Sequence, residues 1–154
     1  MLNLKIYCDG ACKGNPGIGG WGAFFIYKGY RKEIWGYEKY TTNQRMELIA
    51  AIQALKLLKG SCIVQVYSDS QYLVKGMTEW MTGWKNKGWK TSTKSDVANK
   101  ELWEQLDELN KFHKIDWIKV KGHSDDVNNS KADELANRGI IEQIEFNTSD
   151  MICV

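Results

Sequence analysis

The stretch LNLKIYCDGACKGNPGIGGWGAFFIYKGYRKEIWGYE (Leu2–Glu38) decides the fold. In residues 2–8 apolar and polar side chains alternate, with Leu2, Leu4, Ile6 and Cys8 on one face, the period-two pattern of a strand. DGACKGNPGIGG follows as a turn-rich loop that holds the only proline, Pro16. WGAFFIYKG and YRKEIWGYE are aromatic, β-prone runs joined at Lys28–Gly29, which predicts an antiparallel hairpin. The chain therefore starts as a three-strand meander.

Working outward, the period changes. TTNQRMELIAAIQALKLLKG (Thr41–Gly60) is helical, with Thr41, Thr42 and Asn43 as cap candidates and Gly60 just past its end. Its apolar residues lie almost all round, so it reads as a buried central helix. CIVQVYSDS (Cys62–Ser70) is a second buried strand. Residues 71–79 and 80–87 read as short helices with a break between them. WKTSTKSDV is loop, NKELWEQLDELNKF a helix, HKIDWIKV a short strand, and about Lys131 to Gln143 a final helix. Strands giving way to βαβ-like alternation predict an α/β architecture, a five-stranded mixed sheet with helices on both faces. Residues 1–143 form one domain, with a protrusion at about 80–95. Residues 144–154 form a tail without clear period that need not be ordered.

At 154 residues, 43% hydrophobic and 26% charged, the chain has room for one sizeable core and no bias toward disorder. A net charge of +2 is too small to declare a polyanionic partner by itself. Four cysteines (Cys8, Cys12, Cys62, Cys153) form no CxxC pair. No leader and no membrane-length apolar run is evident, so a cytoplasmic, reducing setting is expected.

Four acids stand in unusual places. Asp9 directly follows an apolar strand, and Glu47 lies in the first turn of a nearly all-apolar helix. Asp69 ends the second buried strand, and Asp133 begins the last helix. Any one of them alone is an ordinary turn or cap residue. In open α/β sheets, however, sites gather beyond strand ends and near helix N-termini. Carboxylates gathered there repel one another unless cations neutralise them, and all-oxygen ligands suit Mg²⁺ or Mn²⁺. Two such ions roughly 4 Å apart are a known device for in-line attack on a phosphodiester.

The set IYCDGACKGNPG, TTNQRMEL, YSDSQYL, GWKNKGWKT and VKGH…ADELA resembles bacterial-type type 1 ribonuclease H, collinearly from about Leu4 to Gly139. The resemblance implies the ribonuclease H-like fold and Mg²⁺-dependent endonucleolytic cleavage of the RNA strand of RNA–DNA hybrids, leaving 3′-hydroxyl and 5′-phosphate ends. Two ions are implied during catalysis, with Mn²⁺ able to substitute. By position, Asp9, Glu47, Asp69 and Asp133 match the four metal-binding carboxylates, and His123 matches a loop histidine that assists proton transfer or product release.

The resemblance also implies how a hybrid is held. Asn15, Asn43, Gln44 and Gln71 match minor-groove contacts suited to sensing a 2′-hydroxyl, Thr42 matches a DNA-phosphate contact, and Cys12 falls in the same loop. Trp80, Trp84 and Trp89 interleave with Lys85, Lys87, Lys90 and Lys94, and match a basic protrusion that grips the DNA strand. Each has a plainer reading: Asn15 as a turn residue, Asn43 as a cap, the tryptophans as packing, the lysines as a solvated face. A monomer is the default expectation.

Rival motifs fail on context. Gly17–Gly22 satisfies G-x-G-x-x-G but leads into a β-prone run rather than a helix. Ser124, His123 and Asp125 are adjacent loop residues that cannot form a relay, and no nucleophile elbow is present. Two histidines and no thiol pair at ligand spacing argue against zinc. A catalytically silent hybrid- or duplex-binding module, or a resolvase- or integrase-like nuclease, remain as alternatives. The chain also departs from the family: Asp125 stands where glycine is frequent and Ser130 where glutamate is. Asp125 and Asp126 could raise the pKa of His123 or draw in a cation, and the missing glycine could stiffen the loop.

Overall fold

The computed structural model describes residues 2–121 and 127–145. Three strands, β1 (Leu2–Cys12), β2 (Gly17–Tyr27) and β3 (Tyr30–Thr41), form the expected antiparallel meander. The hairpin turns at Lys28–Gly29, with Lys28 in the left-handed region at φ 53°. β4 (Cys62–Ser68) and β5 (Lys114–Lys119) add parallel strands, giving the order β3-β2-β1-β4-β5.

Strand alternation sorts the core into two layers. Leu4, Ile6 and Cys8 of β1, with Val64 and Val66 of β4, face α1 (Asn43–Lys56) and α4 (Lys100–Phe112). Tyr7 and Phe24 point the other way, toward Ala132 and Leu135 of α5 (Val127–Glu142). Tyr7 stacks on Tyr67 of β4 at 4.5 Å between ring centroids. Helices thus cover both faces, as the alternation predicts.

Several boundaries differ from the sequence reading. β1 runs on through Asp9 to Cys12, because Asp9, Gly10, Ala11 and Cys12 find ladder partners in Gly22, Trp21, Gly20 and Gly19. The turn shrinks to residues 13–16, which contain a cis Asn15–Pro16 bond. Helix α1 ends at Lys56, short of Gly60, and Thr42 is its cap. The break expected between residues 79 and 80 is instead a π-helical turn (Gly76–Trp80) joining α2 (Gln71–Lys75) to α3 (Met81–Asn86). The final helix starts at Val127, four residues before the expected Lys131.

Two glycines set how closely the helices approach the sheet. A Cβ on Gly10 would lie 2.5 Å from the backbone nitrogen of Glu47, so only glycine lets α1 seat against the strand that carries Asp9. A Cβ on Gly20 would lie 2.0 Å from the carbonyl oxygen of Ala136, so the same holds for α5 against β2. Both contacts are with backbone, which cannot rotate away.

Candidate metal centre

Three carboxylates meet where β1, α1 and the end of β4 converge. Asp9 sits within β1, 6% exposed, and its Oδ1 accepts from the Gly10 amide at 2.9 Å. Glu47 lies in the second turn of α1 rather than the first; one carboxylate oxygen accepts from the Ser70 hydroxyl at 2.5 Å and the other from the Asn43 side-chain amide at 3.2 Å. Asp69 follows the last residue of β4 and stands between Ser68 and Ser70, whose amide donates to the Ser68 hydroxyl at 3.0 Å. One oxygen from each of Asp9, Glu47 and Asp69 lies within 4.8 Å of the others.

This cluster is costly as it stands. Burial pushes the Asp9 carboxyl well above the usual range, the Asp69 charge adds to it, the Gly10 amide opposes it, and Asp133 raises it further. Burial also raises Glu47, with Asp69 adding and the Ser70 and Asn43 hydrogen bonds opposing. The neighbouring Cys8 thiol is held strongly protonated by burial and by the same three acids. Among the described residues, no lysine or arginine pairs with Asp9, Glu47 or Asp69. Three converging carboxylates without a basic partner form an all-oxygen donor set, which fits a hard divalent cation.

Asp133 lies in the second turn of α5 rather than at its start, because the helix begins earlier than expected. Its side chain is exposed and close enough to hydrogen-bond and repel Asp9, but it lies outside the tight trio. His123, like Ser124, Asp125 and Asp126, lies outside the described residues.

The polar residues expected to face a hybrid are placed around the trio. Asn15 is exposed, and its side-chain oxygen accepts from the Asn43 amide at 2.9 Å, tying the β1–β2 turn to the first residue of α1. The Thr42 hydroxyl caps α1 by accepting from the Arg45 amide at 3.2 Å. The Cys12 thiol contacts the carbonyls of Gly17 and Thr41 at 3.6 and 3.5 Å. Gln44 and Gln71 are exposed on α1 and α2. Turn and cap roles are thus real for Asn15 and Thr42, while Asn43, the first residue of α1, holds Glu47.

The protrusion differs from its sequence reading. Trp84 and Trp89 are partly buried against the core, and Trp84 packs 5.1 Å from the fully buried Trp103. Trp80, 36% exposed, leans on Trp84 at 5.9 Å. Lys85 pairs with Asp107 at 3.1 Å and Lys90 with Asp96. Among the described residues no ion pair holds Lys87 or Lys94. The acids that occupy Lys85 and Lys90 stand outside the Trp80–Ser95 window, so the window alone does not reveal them.

Ser70 and Gly10 are the members of the site that sequence reasoning missed. Ser70 carries a signal of its own, a cap-type residue between a strand end and a helix, but its partner Glu47 is 23 residues away.

A five-stranded mixed sheet thus carries an acidic cradle, able to hold a divalent cation, where β1, α1 and the end of β4 meet. The chain belongs to the RNase H family, whose model matches residues 2–141. It is 56% identical over 139 residues to "Ribonuclease H" of Pseudomonas paraeruginosa, covering 90% of this chain and 94% of that protein. To "Ribonuclease H" of Acetivibrio thermocellus it is 59% identical over 137 residues, covering 88% and 93%. Among solved structures it resembles LC9-RNase H1, a type 1 RNase H with the type 2 active-site motif, at TM-score 0.84 and 28% identity, over 97% of this chain and 80% of that one. It also resembles LC11-RNase H1 in complex with RNA/DNA hybrid, at TM-score 0.67 and 25% identity, over 90% and 97%.

Proposed function

We infer that this chain hydrolyses the RNA strand of RNA–DNA hybrids as an endonuclease, leaving 3′-hydroxyl and 5′-phosphate ends. The observation that carries the reading is the Asp9–Glu47–Asp69 cradle, without a basic partner among the described residues, in a member of the RNase H family. The hybrid bound by LC11-RNase H1 supports the substrate class.

Asp9, Glu47 and Asp69 would hold Mg²⁺, with Asp133 completing the set from α5 and Mn²⁺ able to substitute. Divalent cations held there would supply Lewis acidity at the scissile phosphate and would offset charge on the leaving oxygen. Asp9, buried inside β1 and beneath α1, would hold a cation from the strand itself. His123, as an imidazole, would move a proton to or from the reacting oxygens at neutral pH.

Asn15, Asn43, Gln44 and Gln71 would read the RNA strand across the minor groove, where the 2′-hydroxyl is displayed. Thr42 would contact a phosphate of the DNA strand, and Cys12 would lie against the hybrid. In the protrusion, Trp80, Trp84 and Trp89 build a rigid aromatic wall, and Lys87 and Lys94 supply the charge that Lys85 and Lys90 share with acids. The three unpaired thiols among the described residues fit a reducing cytoplasm, and the protein acts as a monomer in this reading.

The test is cleavage of a hybrid labelled at both ends of its RNA strand, with end-group analysis of the products. Internal cuts bearing 3′-hydroxyl and 5′-phosphate ends are expected. Asp69→Asn should abolish turnover while hybrid binding persists. Retained turnover in that variant would remove Asp69 from the site.

A further inference from the structure

Ser70 occupies a junction that the reaction as described does not use. It is 5% exposed, stands between Asp69 and α2, and makes four hydrogen bonds, one of them through its carbonyl, which accepts from the Val74 amide at 3.1 Å. Its amide donates to the Ser68 hydroxyl at 3.0 Å, which closes a tight turn around Asp69. Its hydroxyl accepts from the Leu73 amide at 3.1 Å, capping α2. The same hydroxyl donates to Glu47 at 2.5 Å. A serine hydroxyl has a single proton, and with the Leu73 amide already donating to it, that proton is committed to Glu47. A hydroxyl–carboxylate contact of this length is charge-assisted and strongly directional.

We propose that Ser70 is a positioning residue that fixes the spacing between the Glu47 and Asp69 carboxylates and so sets the affinity of the cradle for its divalent cation. The inference rests on the reading of the trio as a cation site. The two acids come from elements far apart in sequence, α1 and the end of β4; Ser70 directly follows Asp69 in the chain, and its hydroxyl donates to Glu47, so the link between them runs through the Asp69–Ser70 backbone. Asn43 holds the other Glu47 oxygen from within α1 and cannot report the position of β4. Without the Ser70 bond, Glu47 can swing about its side-chain torsions while Asp69 stays on its turn, and mutual distance is lost even though both acids remain. Partners that orient metal ligands in this way typically govern affinity by about 10- to 100-fold.

Ser70 also caps a helix, so the test separates the two roles. Glycine is a nearly neutral replacement at a cap but has no hydroxyl; threonine keeps both functions. Mn²⁺ binding to the full chain is measured by calorimetry for wild type and for Ser70→Gly, Ser70→Ala and Ser70→Thr. Hybrid cleavage is then measured against Mg²⁺ concentration. Ser70→Gly and Ser70→Ala are expected to bind Mn²⁺ about 10-fold more weakly or worse. Both should need correspondingly more Mg²⁺ for half-maximal cleavage, with Ser70→Thr close to wild type. Unchanged Mn²⁺ affinity in Ser70→Gly and Ser70→Ala would reduce Ser70 to a cap and overturn the proposal, as would a Ser70→Thr affinity as poor as that of Ser70→Ala. If wild type binds Mn²⁺ but leaves hybrids intact, the assigned activity fails while the calorimetric comparison still decides the role of Ser70.

Discussion

Replacing Asp9 with asparagine removes a buried charge that faces Asp69 and Asp133, so activity and stability should move in opposite directions. Cleavage should fall below detection, while the metal-free protein gains about 1–3 kcal/mol of stability, since one pKa unit corresponds to about 1.4 kcal/mol. The pKa of Asp9 is raised by folding, so its cost is absent below the ordinary carboxylate range and grows as pH rises toward neutrality. Denaturant melts of both proteins in chelator should therefore diverge with rising pH. An Asp9→Asn protein no more stable than wild type at pH 7 would contradict the account. His113 works with the opposite sign. It is buried, its Nδ1 accepts from the Cys62 amide at 3.1 Å, and burial lowers its pKa despite the opposing Leu55 backbone contact. Stability tied to His113 is present above about pH 6.5 and is lost as pH falls below it, so His113→Gln should flatten the acid limb of the stability profile. The identities of Asp9, Glu47 and Asp69 were legible from their places beside apolar runs. The Ser70–Glu47 contact was not, because nothing local in either segment specifies a partner in the other.

At the scale of elements, the approach of α1 to β1 decides whether Glu47 reaches Asp9. Gly10→Ala places a methyl against the backbone of Met46 and Glu47, and the helix must move. A loss of about 1–3 kcal/mol is expected from overpacking, together with weaker metal binding. Gly60→Ala, which meets nothing within 4 Å, should change neither and serves as the control. The sequence announced every strand and all the main helices, since period-two and helical patterns are strong where one face is buried. It misplaced ends where local signals oppose tertiary pairing. The run DGAC reads as turn, yet Gly19–Gly22 supplies it with ladder partners. The run VNNSKAD reads as loop and cap, yet it is helical from Val127 and carries Asp133 into the second turn. The expected break after residue 79 is a π-turn, which keeps one continuous path from Asp69 into the protrusion.

Across the whole molecule, an acidic cradle and a basic protrusion share a chain of net charge +2. The sequence window of four lysines overstates the protrusion, because Asp107 and Asp96 hold Lys85 and Lys90. Replacing Lys87 and Lys94 together by glutamine should lower the slope of log affinity against log salt by about 1–2. The same change at Lys85 and Lys90 should do less to that slope, since their charges are already shared with Asp107 and Asp96, which keep Lys111 and Lys100 as partners. Filter binding at graded salt separates the cases, and equal slopes for both pairs would contradict the assignment. As proposed, the cation cradle cuts RNA only when that RNA is paired with DNA. The most direct test incubates wild type with end-labelled RNA–DNA, RNA–RNA and DNA–DNA duplexes of one sequence, with Mg²⁺ and with chelator. Cleavage confined to the RNA of the hybrid and dependent on Mg²⁺ is the predicted result; equal cutting of all three duplexes, or an intact hybrid in Mg²⁺, would contradict it.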